Sequence, residues 1–265
     1  MEYRENQAEH ERSVLRRIRC SINESNLDMF FGCAREDVDR IRLALDEVKQ
    51  NPETSFPDFF SSGACVELFR ISSSEQGRRG GPAQMRQDGE LKKTIAEDDA
   101  SAAKEENYEA RAYCRIHPRH SYENLTACLK KVFEKHIDSL QEHGGEYETT
   151  VFVIECPECD LHGMLLPDSE VDYDGLAMGD LAPSYAPGRK TGLYRLSRDK
   201  ENLRWMSSYV DRVDYIVFVG AQCVEVINLH RVDSLIAFLP WKVRFAGACS
   251  MTYSSSMYLG SSPRA

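Results

Sequence analysis

Apolar residues recur at intervals of three and four along the first fifty positions, the period of a helix with one buried face. Val14, Ile18 and Ile22 form one such stripe, and Val38, Ile41, Leu45 and Val48 form a better one. Asn51-Pro52 ends the second helix, because the residue before a proline is driven out of the helical region. The period then shortens. Phe56 to Phe60 and Cys65 to Ile71 read as two short strands joined across Ser61-Ser62-Gly63, with Glu67, Phe69 and Ile71 on one face of the second. Residues 72–112 supply almost no apolar positions and are expected to form a mobile insertion with a solvated helix across 90–112. The strongest helical stripe of the chain follows: Leu125, Leu129, Val132, Phe133, Ile137 and Leu140. Ser121 opens it as N-cap and Gly144-Gly145 stops it. Thr150 to Glu155 is a buried strand.

Residues 156–192, with four prolines and many acids and glycines, are expected as a long acidic loop. Beyond 193 the pattern predicts a helix from about Arg198 to Val210 opened by Ser197, then a hairpin of 215–219 with 223–227. A short helix near 232–239 and a strand near 242–248 come next, and the tail after Tyr253 is expected to fray. The chain thus divides into a core over 1–155, the loop 156–192, and a part over 193–265 that either completes the same sheet or forms a small second domain. Helices alternating with strands make the fold class α/β, a mixed central sheet flanked by helices.

With 265 residues, 42% of them hydrophobic, the chain can bury a full core. A formal charge of −10 argues against broad non-specific binding to nucleic acid or membranes and leaves room for a local basic patch. No apolar run approaches the roughly 18 residues of a membrane span. Nine scattered cysteines, several of them in apolar runs, read as reduced thiols of a cytoplasmic protein.

Candidate chemistry concentrates on Asp58, which follows Pro57, and on Glu67, nine positions later inside an apolar run. A charge in such a run is costly unless paired or metal-bound. If the two strands are antiparallel neighbours, the carboxylates converge, and paired carboxylates suit Mg²⁺. In the plainer reading Asp58 caps a turn and Glu67 sits on an exposed edge.

Pro57-Asp58, Glu67 and the order helix, strand, strand, helix, strand over roughly 35–155 resemble the PD-(D/E)xK nuclease superfamily. The resemblance implies a restriction-endonuclease-like core and Mg²⁺- or Mn²⁺-dependent hydrolysis of phosphodiester bonds in nucleic acid, DNA and RNA both left open. It makes Asp58 and Glu67 metal ligands and leaves a third to Glu47, with Glu155 a weaker choice. The family's lysine falls at Phe69, so its cation must come from elsewhere: Arg79 on the Gly77–Gly81 loop, or a migrated Lys130 or Lys131. Without that lysine, the alternative is a non-catalytic binding or scaffold protein that retains the core and meets a protein partner through the acidic loop 156–192.

Two further groupings carry weaker signals. Cys156, Cys159 and His162 have zinc-like spacing, but no second CxxC or HxxxH pair accompanies them. His117, Arg119 and His120, with Arg111, Arg115 and the lysines of the following helix, make a local basic cluster that suits phosphate contact or simply a solvated surface.

Overall fold

A computed structural model gives the arrangement of the chain and describes residues 2–22, 27–52, 56–74, 89–97, 100, 109–116, 119–143, 145, 147–157, 159, 161–167, 190–238, 241–247 and 251–258. Its centre is a seven-stranded mixed sheet. Strands β1 (Phe30–Phe31), β2 (Lys49–Gln50), β3 (Phe59–Phe60), β4 (Ala64–Arg70), β6 (Thr149–Cys156), β9 (Tyr215–Gly220) and β10 (Val224–Asn228) lie in the order β1-β10-β9-β6-β4-β3-β2. The three middle strands, β9, β6 and β4, run parallel, while β2, β3 and β4 form an antiparallel meander at one edge.

Alternation along the middle strands sends side chains to opposite faces, and each face takes its own helices. Val151 and Val153 of β6 join Val66, Val217 and Val226 against Ile18, Ile41 and Leu45 of α1 (Glu2–Ser21) and α2 (Arg35–Glu47). Phe152 and Ile154 join Phe69, Ile216 and Phe218 on the other face. There they meet α3 (Tyr122–His143), α4 (Lys200–Ser207) and α5 (Val232–Ala237) through residues such as Leu129, Phe133, Met206 and Ile236. The result is a three-layer helix–sheet–helix arrangement. Among the described residues no helix is long and apolar enough to cross a membrane.

The helices follow their stripes closely. Val14, Ile18 and Ile22, and Val38, Ile41, Leu45 and Val48, are all buried. Ser121 caps α3 by accepting from Asn124 N–H at 3.1 Å. The cap of α4 is Asp199 rather than Ser197, accepting from Asn202 N–H at 3.1 Å, while Ser197 lies in a preceding 3-10 turn (Leu196–Arg198). Strands β9 and β10 pair as the expected hairpin and lie beside β6, so this part of the C-terminal third completes the same sheet.

Three expectations need correction. The stretch 156–192 is not all loop: β7 (Leu161–Pro167) pairs on one side with β8 (Lys190–Leu193) and on the other with β11 (Trp241–Gly247) in a separate three-stranded sheet. The acidic centre of that stretch, 168–189, lies outside the described residues. The solvated helix expected across 90–112 is present over 89–97, but the end of that range belongs to β5 (Glu109–Ile116), which pairs with β12 (Met251–Tyr258), most of it expected as a fraying tail. All these pairings are non-local, and neither Glu109–Ile116, with alanines at 110 and 112, nor the serine-rich Met251–Tyr258 shows a strong local strand pattern.

Candidate active site

Strand β3 is only two residues long, and its ladder with β4 consists of Phe59 opposite Val66 and Phe60 opposite Cys65. The next opposed pair is Asp58 and Glu67. Here side chains take over from the backbone. Asp58 N–H donates to Glu67 Oε2 at 3.1 Å, and Leu68 N–H donates to Asp58 Oδ2 at 2.8 Å. Beyond this point Leu68 to Arg70 have no strand neighbour on that side among the described residues. A cleft of about 530 Å³ opens over this free edge. Its walls come from α1 through Gln7, His10 and Glu11, from α3 through Lys135, His136 and Ser139, and from the end of β6 through Glu155.

Carboxyl groups outnumber permanent cations in the cleft: Glu11, Asp58, Glu67 and Glu155 face Lys135 and Arg70 of β4. Burial pushes the Asp58 carboxyl up to about 8, with the Glu67 charge adding to it and Glu11 contributing. Burial likewise pushes Glu67 up to about 7, with Glu11 adding to the rise and the Lys135 charge opposing it. Glu11 is itself buried and is held from both sides, by Gln7 Nε2 at 3.0 Å and Gln50 Nε2 at 3.1 Å. His136 Nδ1 lies 2.7 Å from Glu67 Oε1, and its ring stacks on Phe69 at 4.5 Å between centroids. On the far wall Glu155 Oε2 lies 2.9 Å from His10 Nε2.

These shifts have a measurable consequence. A carboxyl whose folded pKa is raised binds more protons in the folded than in the unfolded state, so stability falls as pH rises between the two values. The fall should extend from 3.8 to about 8 for Asp58 and from 4.5 to about 7 for Glu67. Chemical denaturation between pH 5 and 9 is expected to show declining stability, with Asp58→Asn flattening the decline. A profile that is flat or rising for the parent protein contradicts the charge imbalance.

Asp58 and Glu67 therefore meet as the spacing suggested. The other expected residues fare differently. Glu47 is exposed at the end of α2 and does not line the cleft; the third acid there is Glu11 of α1. Glu155 does line it. Arg79 lies outside the described residues. Lys130 turns away to the ring of Trp205, 5.6 Å from its centroid, and Lys131 is exposed and outside the cleft; the lysine of α3 that lines it is Lys135. The signals for the missed residues were present. Glu11 sits seven positions before Ile18, on the same helical face, so it is a charge on a buried stripe. His136 falls on the stripe through Leu129 and Phe133, seven and three positions on.

Cys156 and Cys159 are buried and hydrogen-bonded to each other, while half-buried His162 lies on β7 paired across from Leu193 and Ala246. Seven described cysteines, these two among them, are free thiols. Of the basic cluster, His120 is buried with Nδ1 2.7 Å from Ser73 Oγ, Arg119 is exposed, and His117 lies outside the described residues.

Among the described residues no three His, Cys, Asp or Glu side chains stand ready as a metal-ligand set. What fits a divalent cation is the donor chemistry of the cleft: hard carboxylate oxygens from Asp58 and Glu67, whose ionisation burial resists, with Glu11 lining the same cleft. No protein-family model matches the chain, and neither a curated protein nor a solved structure is significantly similar to it.

Proposed function

We propose that the cleft is the active site of a divalent-metal-dependent nuclease that hydrolyses phosphodiester bonds. The observation that carries this reading is the meeting of Asp58 and Glu67 at the open edge of β4, with Glu11 and Lys135 lining the same cleft. The order α2, β2, β3, β4, α3, β6, interrupted by β5 between β4 and α3, with an antiparallel meander followed by a helix and a parallel strand, supports the resemblance to the PD-(D/E)xK superfamily and its restriction-endonuclease-like core.

In this reading Asp58 and Glu67 hold Mg²⁺ or Mn²⁺, with Glu11 in place of Glu47 as the third acid. A bound ion supplies an activated water and offsets charge on the phosphate. Each of the two strand acids already accepts a backbone N–H, which fixes its orientation before an ion arrives. Lys135 supplies the cation that Phe69 displaces, while Phe69 orients His136 by stacking. A buried, preorganised donor is worth about a hundredfold or more. Lys135 is exposed, so Lys135→Met is expected to slow cleavage only about tenfold. Lys130→Met and Lys131→Met are expected to stay near the parent rate, and equal losses in all three would remove Lys135 from the site. The free thiols suit a reducing compartment, and we place the activity in the cytoplasm.

A second reading rests on one observation. Asp58 and Glu67 satisfy two backbone donors at the end of a ladder, which a non-catalytic protein meeting a protein partner would retain for stability alone. Cleavage of labelled single- and double-stranded DNA and RNA with Mg²⁺ or Mn²⁺, beside Asp58→Ala and Glu67→Ala, separates the two. Metal-dependent cutting lost in both variants supports the nuclease. Absence of cutting by the folded parent protein supports the binding protein.

A further inference from the structure

A second cavity, of about 360 Å³, adjoins the acidic cleft, and Phe56 lines both. Its walls are aromatic: Phe56, Phe60, Tyr147 and His143. Phe60 is 40% exposed, one of four large apolar side chains left so open among the described residues. The two cavities follow one groove. Asp58, just before β3, and Phe60 within it are two residues apart, roughly 7 Å by strand rise. Along α3, His136 over Glu67 and His143 over the aromatic cavity are seven residues apart, about 10 Å by helix rise. Asn51 ties the loop bearing Phe56 in place, through Nδ2 to Pro57 O at 3.1 Å and through its N–H to Asp58 O at 2.8 Å.

Resting on the nuclease reading, we propose that this cavity is a stacking subsite for an unpaired nucleobase next to the scissile phosphate, so that the substrate is single-stranded nucleic acid. Aromatic faces serve every base, and stacked bases track aromatic side chains along single-strand grooves. In a duplex both faces of a base are already covered by its neighbours, so only an unpaired base has a face to offer Phe60 and Tyr147. Asp58 and Phe60, two residues apart, then place phosphate and base within one sugar–phosphate link of each other.

The test is fluorescence anisotropy with labelled oligothymidylate, oligouridylate, an abasic sugar–phosphate oligomer of equal length and a duplex, with Ca²⁺ replacing Mg²⁺ to hold cleavage off. The parent protein is expected to bind a base-bearing single strand at least about tenfold tighter than the abasic oligomer or the duplex. Phe60→Ala and Phe60→Leu should each lose about tenfold, Tyr147→Ala likewise, and Tyr147→Phe should bind like the parent. The difference between the thymidylate and uridylate arms tells DNA from RNA. Equal affinity for base-bearing and abasic oligomers, or unchanged binding by folded Phe60→Leu, overturns the subsite; metal-dependent cutting that persists alongside leaves the nuclease reading standing. A parent protein that neither binds nor cuts any of the four overturns both.

Discussion

Glu67→Gln is expected to lose metal-dependent cleavage by about a hundredfold or more and to gain thermal stability above pH 7. Loss of a group that merely orients a metal ligand costs about 10–100-fold, so losing a ligand should cost at least as much. The stability gain comes from the opposite side of the same chemistry. Glu67 is 5% exposed, and its ionisation is resisted by burial and by the charge of Glu11. Glutamine keeps both partners: its carbonyl accepts from Asp58 N–H, and its amide donates to His136 Nδ1 in the tautomer that carries its proton on Nε2. A purely structural glutamate would give the stability change with no cleavage to lose. Rate measurements and thermal melts at pH 8 on the same preparation therefore separate a site that trades stability for chemistry from a ladder cap.

Phe133→Ala is expected to destabilise the protein by about 3–5 kcal/mol, a large part of the total stability of an ordinary domain. Phe133 is fully buried, and its ring meets Phe152 at 5.2 Å, Trp205 at 5.3 Å, Tyr209 at 5.4 Å and Phe69 at 6.2 Å. It thereby joins α3 to the middle of the sheet and to α4. The same helix carries Lys135 and His136, so a shift of α3 also moves one wall of the cleft. Urea denaturation of Phe133→Ala beside Phe238→Ala provides the contrast, because Phe238 is 83% exposed and its loss should cost next to nothing. Comparable losses in both would mean that the packing of α3 is not what secures the helix to the sheet.

Local periodicity carried much of this architecture. The stripes of α1, α2 and α3, the buried strand β6 and the hairpin of β9 with β10 all repeat at intervals that one element imposes on its own residues. What escaped was pairing between distant segments. Nothing within Glu109–Ile116 announces Met251–Tyr258 as its partner, and Leu161–Pro167 needs Trp241–Gly247 to be recognised as a strand. The site divides along the same line. Asp58 and Glu67 were legible because a single short turn brings them together. Glu11 and Lys135 stand on helices whose approach to the β4 edge depends on tertiary packing. Glu47 was expected because α2 directly precedes the meander, yet its end points into solvent and the earlier helix α1 covers the cleft instead.

In the proposed site Glu11, Asp58 and Glu67 together hold a divalent cation. Electron paramagnetic resonance during Mn²⁺ titration at pH 8 tests it most directly, because bound and free ion are counted without any assumption about substrate. The expected result is saturable Mn²⁺ binding that Mg²⁺ displaces, weakened in Glu11→Gln and lost in Asp58→Asn and Glu67→Gln. No saturable binding, or binding unchanged in Asp58→Asn and Glu67→Gln, would contradict the account and leave the acids as the end of a β ladder.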